Sequence, residues 1–115
     1  MVEAFLILPS HFADWPGRPV QVEKTRQWLI ELQDIYERML TIRESEARTV
    51  DLFRNGELQH GHVLPCLGQE AIPAAFSLAL RDSDYVITGH RGSGHYIARG
   101  GDLKGLWAEL YGKRT

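Results

Sequence analysis

The sequence contains few of the residues on which disulfide-stabilised or strongly charged small proteins depend. Cys66 is the only cysteine among 115 residues, so no intramolecular disulfide can form. This fits a reducing compartment, and we expect a cytoplasmic protein. The net charge is only -2, which gives no indication of binding to nucleic acid or to an anionic membrane. The length allows one small domain with a single core.

Long apolar runs are also missing. No stretch approaches the roughly 20 apolar residues that a membrane-spanning helix needs. A short apolar stretch at residues 5–8 follows Glu3, where a signal peptide would carry positive charge. Residues 1–22 contain three of the five prolines, so we predict an irregular N-terminal arm there. Residues 23–115 are expected to form the folded part.

A long amphipathic helix is predicted from about Glu23 to Asn55-Gly56, which supplies a C-terminal stop. Apolar residues recur there at steps of three or four, with one gap between Ile42 and Val50, which places them on one helix face. They are Trp28, Leu32, Ile35, Met39, Ile42, Val50 and Phe53. A helix of this length spans about 45 Å at 1.5 Å per residue. Part of it is therefore expected to pack on something outside this chain.

Three shorter elements are predicted further along the chain. A second apolar helix begins at residues 68–70 and runs to about Leu80, with Pro73 tolerated in its first turn. Residues 82–84 form a turn, and residues 85–88 are predicted to be a short buried strand. Asp102 is a suitable N-cap for a third helix that starts at Leu103.

The segment between that strand and the third helix concentrates glycine, histidine and arginine. Ile97 stands where a dinucleotide-binding fingerprint has its third glycine, and no Gly-Lys-Ser/Thr follows. The segment can still bind an anion, because Arg91 offers a planar charged fork and His90 a further donor. A surface turn with a solvated arginine is the alternative, and the residues alone leave both open.

Other polar residues have simpler explanations. Cys66 with a histidine could act as a nucleophile, but its apolar surroundings are typical of a small buried residue. Glu70 in the first turn of a helix is favoured by the helix dipole, although a buried glutamate could also orient a ligand. The sequence contains no CxxC or HExxH spacing that would indicate a zinc site, so we interpret the histidines as ordinary loop residues and not as metal ligands. The ligands considered are His60, His62, Cys66, His90 and His95.

The order of the motifs resembles a known family. The long helix contains YERMLTIRESEARTVDLFRNGEL, and GHVLPCLGQEAIPAAFSLALRDSDYVITGHRGSGHYIARGGDLKGLWAELYGK follows it. Arg-Met-Leu, Gly-Gln-Glu-Ala, Asp-Tyr-Val and His-Arg-Gly occur in this order from about Leu32 to Lys113. The chain is similar to the N-terminal part of the alpha subunit of thiamine diphosphate-dependent 2-oxo acid dehydrogenases. Members act in pyruvate, branched-chain 2-oxo acid and acetoin dehydrogenases.

This resemblance implies an α/β thiamine diphosphate-binding fold of which the N-terminal part is mostly helical. It implies that His90 and Arg91 bind the diphosphate of the cofactor, and it assigns no catalytic residue to this chain. The implied partners are an E1 beta subunit, commonly in an α2β2 heterotetramer, and a lipoyl-bearing E2 acyltransferase. The implied reaction is oxidative decarboxylation of a 2-oxo acid, or cleavage of acetoin, with acyl transfer to E2.

Two departures from the family bear on these expectations. Leu64 and Ser93 stand where many members have histidine, and Leu64 favours a bulkier or more apolar acyl group. The family's glycine-rich loop and the Gly-Asp-Gly segment ending in Asn, which hold Mg²⁺ and diphosphate, do not follow Lys113. The resemblance thus implies an incomplete N-terminal fragment without metal ligands, inactive alone. The alternative is a non-enzymatic helical interaction protein or an inactive truncated remnant.

Overall fold

A computed structural model describes residues 22–58 and 63–113 of the chain. Within these ranges the chain forms four helices: α1 (Val22–Arg54), α2 (Ala71–Leu78), α3 (Ser93–Ala98) and α4 (Leu103–Leu110). The predicted N-terminal arm lies outside the described residues except for Val22, where α1 begins. His60 and His62 also lie outside them.

Helix α1 confirms the long amphipathic helix. It has 33 residues and ends one residue before Asn55-Gly56. Gly56 has a φ of 74°, and the Glu57 N–H donates to the Leu52 carbonyl at 2.9 Å, so the last turn closes as a glycine-terminated cap. No helix in the described part of the chain is long and apolar enough to cross a membrane.

Only part of the predicted apolar stripe on α1 faces the core. Ile42 is completely buried, and Ile35 and Met39 pack against the core from partly buried positions. Trp28 and Leu32, in the first half of the helix, are 63% and 60% exposed. The described residues therefore cover the middle of α1 and leave Trp28 and Leu32, nearer its N-terminus, open.

The core lies where α1, α2 and α3 meet. Its buried members are Ile42, Cys66, Ala74, Ile97 and Ala98. Gly94 on α3 lies directly against this cluster, and a Cβ added there would lie 2.5 Å from the Cys66 Sγ and 3.2 Å from the Pro73 Cγ. Because such distances are too short for a carbon atom, the glycine permits the close approach of α3 to the core.

Helices α2 and α4 confirm their predictions with shorter bounds. Pro73 is the third residue of α2, where no carbonyl of the helix awaits its missing N–H. Asp102 caps α4, because its carboxylate accepts hydrogen bonds from the Lys104 N–H at 3.1 Å and the Gly105 N–H at 2.9 Å.

The predicted strand at residues 85–88 is wrong. The segment has no assigned secondary structure, and the side chains of Tyr85 and Ile87 are each 98% exposed. A strand needs a partner for its backbone N–H and C=O groups, and no strand exists within the described ranges to provide one. The glycine-rich segment after it, for which no helix was predicted, contains the short helix α3.

Candidate functional site

His90 and Arg91 lie in the turn between the 85–88 segment and α3. Both residues are exposed. The Arg91 Nη1 donates a long hydrogen bond of 3.4 Å to the Oε1 of Gln69, which precedes α2. The turn thus presents the two predicted binding residues together, and Gln69 holds the guanidinium loosely from the opposite segment.

These residues line one side of a groove of about 670 Å³, called here the main groove. The groove is lined by Cys66, Gln69, Ile72, Pro73, Phe76, Tyr85, Val86, Ile87, Thr88, Gly89, His90, Arg91 and His95. No carboxylate from the described ranges is among these residues. An apolar wall and a rim with one fixed positive charge favour an anionic ligand with an apolar body.

The charge environment of Arg91 differs from that of several other arginines. Three arginines form salt bridges in the described structure: Arg38 with Asp34, Arg43 with Glu70, and Arg81 with Asp84. Within residues 22–58 and 63–113 no carboxylate forms a salt bridge with Arg91. Its charge is therefore available to a ligand in the groove.

A second histidine also lines the main groove. His95, on α3, packs edge to face against Phe76 of α2, with ring centroids 5.8 Å apart and planes at 87°. This contact fixes the imidazole between the two helices. The contact adds a polar side chain to the groove lining. From the sequence, His95 was considered only as a candidate metal ligand.

Glu46 on α1 is a site residue that the sequence analysis missed. It is 4% exposed, and its two carboxylate oxygens accept hydrogen bonds from different segments. The Cys66 N–H donates to Oε2 at 2.5 Å, and the Ser93 Oγ–H donates to Oε1 at 2.5 Å. Only its place on the inward face of α1, four residues after Ile42, could have indicated this role.

Glu70 forms the other buried carboxylate contact. It is 3% exposed, and it accepts from the Arg43 Nε at 2.5 Å, the Arg43 Nη2 at 2.9 Å and the Gly68 N–H at 2.9 Å. The hydrogen bond from Arg43 is the main reason that the pKa of Glu70 falls to about 2. Glu70 is thus engaged by α1 and by its own loop, which supports a structural role.

A smaller pocket of about 180 Å³ lies on the other side of His90. Its walls include Leu64 and Ser93, the two positions that depart from the resembled family, together with Glu46. Leu64 is 43% exposed, so its isobutyl side chain is available to whatever occupies this side of the turn.

Cys66 does not have the properties of a nucleophile. Its side chain is buried, and burial is the main reason that the pKa of the thiol rises to about 12, with the nearby Glu46 carboxylate contributing further. The reactive thiolate is therefore disfavoured at neutral pH. Across the described residues, no group of three or more His, Cys, Asp or Glu side chains is placed to hold a metal ion. His60 and His62 are not among the described residues.

The described residues offer hydrogen-bond donors to an anion at the groove rim. Arg91 supplies charge and paired donors, His90 a directional donor, and Gln69 a second contact that orients the guanidinium. A phosphate or diphosphate group matches these donors in charge and geometry.

Comparison with known proteins gives a consistent result. The sequence profile of the family described as Dehydrogenase E1 component matches residues 36–115. The alpha subunit of acetoin:2,6-dichlorophenolindophenol oxidoreductase from Bacillus subtilis is 42% identical over 81 residues, which cover 70% of this chain and 24% of that protein. The alpha subunit of the pyruvate dehydrogenase E1 component from Zymomonas mobilis is 39% identical over 109 residues, or 94% of this chain and 29% of that protein.

Relatives with other substrates also match. The alpha subunit of 3-methyl-2-oxobutanoate dehydrogenase from Mycobacterium tuberculosis is 37% identical over 78 residues, covering 68% of this chain and 19% of that protein. No solved structure matches the chain significantly. The chain spans between about a fifth and about three tenths of the length of these relatives. Because the family profile covers most of its residues, the chain belongs to the dehydrogenase E1 component family.

Proposed function

We propose that this chain forms part of the thiamine diphosphate site of a dehydrogenase E1 alpha subunit, in which His90 and Arg91 bind the diphosphate. Enzymes of this family depend on thiamine diphosphate in general. One observation carries the proposal: Arg91 lies beside His90 at the rim of the main groove, and no described carboxylate lines that groove or forms a salt bridge with Arg91.

Each residue has a distinct part in this site. The planar guanidinium of Arg91 can donate two parallel hydrogen bonds to one phosphate group, and His90 donates one more. The side-chain oxygen of Gln69 accepts a hydrogen bond from Arg91 and so restricts the motion of the guanidinium. When bound, the cofactor supplies a nucleophilic carbon for attack on the substrate carbonyl, while the protein positions it.

The Mg²⁺ that accompanies the diphosphate needs oxygen ligands, commonly carboxylates together with the phosphates. No carboxylate from the described part of the chain lines the main groove. We therefore propose that the Mg²⁺ ligands come from other residues of the assembled enzyme, and that the described part of this chain contributes only diphosphate contacts.

Alpha subunits of this family work with a beta subunit and a lipoyl-bearing E2 in general. We propose the same partners for this chain, with oxidative decarboxylation of a 2-oxo acid, or acetoin cleavage, as the reaction and a cytoplasmic location. The relatives' names include acetoin, pyruvate and 3-methyl-2-oxobutanoate. The apolar side chain of Leu64 in the smaller pocket supports a branched or otherwise apolar acyl group.

A non-enzymatic helical interaction protein is the second candidate. The observation in its favour is the exposed apolar set on the first half of α1, where Trp28, Leu32 and Tyr36 are each at least 60% exposed. This hypothesis predicts binding of a protein partner that is unaffected by thiamine diphosphate and by changes at Arg91.

The test is replacement of Arg91 by alanine in the assembled alpha–beta enzyme that contains this chain. The loss of a partly desolvated charged contact is expected to weaken binding by about 2 kcal/mol, a rise of about 30-fold in the Kd of thiamine diphosphate. The Kd is measured by calorimetry at fixed Mg²⁺ and fixed ionic strength.

Arg81→Ala is the matched control, because Arg81 is an exposed arginine that pairs with Asp84 and does not line the main groove. Its Kd should equal that of the unchanged enzyme. Arg91→Lys should give an intermediate Kd, since lysine keeps the charge and loses the planar fork. An Arg91→Ala enzyme with unchanged affinity would remove the proposed function.

A further inference from the structure

The buried carboxylate of Glu46 connects two segments that are far apart in sequence. Its Oε2 is bound to the backbone of Cys66, 20 residues away, and its Oε1 to the side chain of Ser93, 47 residues away. Within the described ranges no lysine, arginine or histidine forms a salt bridge with Glu46. These two hydrogen bonds are thus its main compensation for burial.

The two segments held by Glu46 are those that carry the groove's polar residues. Ser93 follows Arg91 by two residues. Cys66 precedes Gln69 by three, and the Gln69 N–H donates to the Cys66 carbonyl at 2.8 Å. Arg91 and Gln69 are the pair whose side chains meet across the groove at 3.4 Å. The Glu46 carboxylate, which lies outside the main groove, therefore fixes the spacing between the two segments.

A carboxylate suits this task because it accepts two strong hydrogen bonds in a rigid plane. Its side chain extends from the C-terminal third of α1, the longest described helix, which gives both bonds a fixed origin. A displacement of either segment by about 1 Å is enough to spoil the geometry at a binding site.

We propose that Glu46, acting through Ser93, is a positioning residue for diphosphate binding. It does not line the main groove, and it sets the distance between Arg91 and Gln69. This inference rests on the proposed function of His90 and Arg91. It predicts that loss of either hydrogen bond weakens cofactor binding more than the loss of stability alone can explain.

The experiment compares Glu46→Ala, Glu46→Gln, Ser93→Ala and Ser93→Thr in the assembled alpha–beta enzyme. The readouts are the Kd of thiamine diphosphate by calorimetry and the melting temperature without cofactor. Glu46→Ala is expected to raise the Kd about tenfold and Ser93→Ala about fivefold. The double variant Glu46→Ala/Ser93→Ala should have the same Kd as Glu46→Ala alone, because both changes remove the same hydrogen bond between Glu46 and Ser93.

The conservative variants should restore binding to within about threefold of the unchanged enzyme. In Glu46→Gln the amide oxygen still accepts from Cys66, and its NH₂ donates to a rotated Ser93 hydroxyl. Ser93→Thr keeps the hydroxyl. Ser77→Ala is the control, because the Ser77 hydroxyl is also hydrogen-bonded, to Ala74 and Arg38, but makes no contact with Glu46.

The outcomes separate the two proposals. A normal Kd in Ser93→Ala, with a loss of melting temperature like that of Ser77→Ala, means that the contact is merely structural and overturns this inference. If Arg91→Ala weakens binding and neither Ser93→Ala nor Glu46→Ala does, only the positioning role fails. If Arg91→Ala also leaves the Kd unchanged, the proposed function fails with it. If Glu46→Ala does not fold, the Kd values of Ser93→Ala and Ser93→Thr still test the positioning role.

Discussion

Replacement of Glu70 by glutamine is expected to lower the free energy of unfolding by about 3 kcal/mol at neutral pH. The glutamate is buried and accepts three hydrogen bonds, two from Arg43 and one from the Gly68 N–H. Glutamine has the same shape, but it places an NH₂ donor against the donors of the guanidinium. Urea unfolding followed by far-UV circular dichroism measures the loss, because the described structure is helical.

The pH dependence identifies the cause of that loss. The pKa of Glu70 in the folded chain is about 2, below its ordinary value of 4.5. The carboxylate therefore contributes stability that is fully present above about pH 4.5 and is lost as the pH falls towards 2. Glu70→Gln has no such contribution to lose. The difference between the two proteins should shrink to less than half its neutral value at about pH 3.

Glu37→Gln is the matched control for this experiment. Glu37 is exposed on α1 and accepts one hydrogen bond from Gln33, at 3.2 Å. Its replacement is expected to change the free energy of unfolding by no more than about 0.5 kcal/mol. A Glu70→Gln loss that stayed constant from neutral to acidic pH would show that packing, and not the charge, accounts for the effect.

Replacement of Gly94 by alanine is the second change with a large expected effect, also about 3 kcal/mol. The new methyl group would lie 2.5 Å from the Cys66 Sγ and 3.2 Å from the Pro73 Cγ. The sulfur is buried in the core and Pro73 is rigid within α2, so relief requires α3 to move away. Urea unfolding measures the loss of stability.

Two further variants test the steric explanation for Gly94. Gly89→Ala adds the same methyl group where no atom lies within 4 Å, and it should be tolerated. In a Cys66→Ala background the sulfur is gone, and the cost of Gly94→Ala should fall to about 1 kcal/mol. An equal cost in both backgrounds would exclude the contact with Cys66 as its origin.

The sequence indicated some features of this molecule and not others, for physical reasons. Apolar periodicity and end signals predicted α1, α2 and α4, because both are local properties of the chain. Helix α3 was missed because glycines normally discourage a helix, whereas here Gly94 allows α3 to approach the core. That contact is tertiary and leaves no local pattern.

The candidate site shows the same division. His90 and Arg91 were identified from residue type and from the family resemblance. The supporting carboxylate of Glu46 was not, because apolar periodicity ignores the buried polar positions of α1, which are Ser45, Glu46 and Thr49. The strand at residues 85–88 was predicted from composition, and composition does not reveal whether a neighbouring strand is present.

The exposed 85–88 segment has a consequence for handling the protein. Tyr85, Val86, Ile87 and Thr88 all favour extended structure, and two of their apolar side chains are almost fully open to solvent. Their backbone has no ladder partner in the portion of the chain that the structure describes. Such a stretch is a template for strands of other molecules, so at high concentration this is where fibrous aggregation should begin, and a proline placed there should delay it.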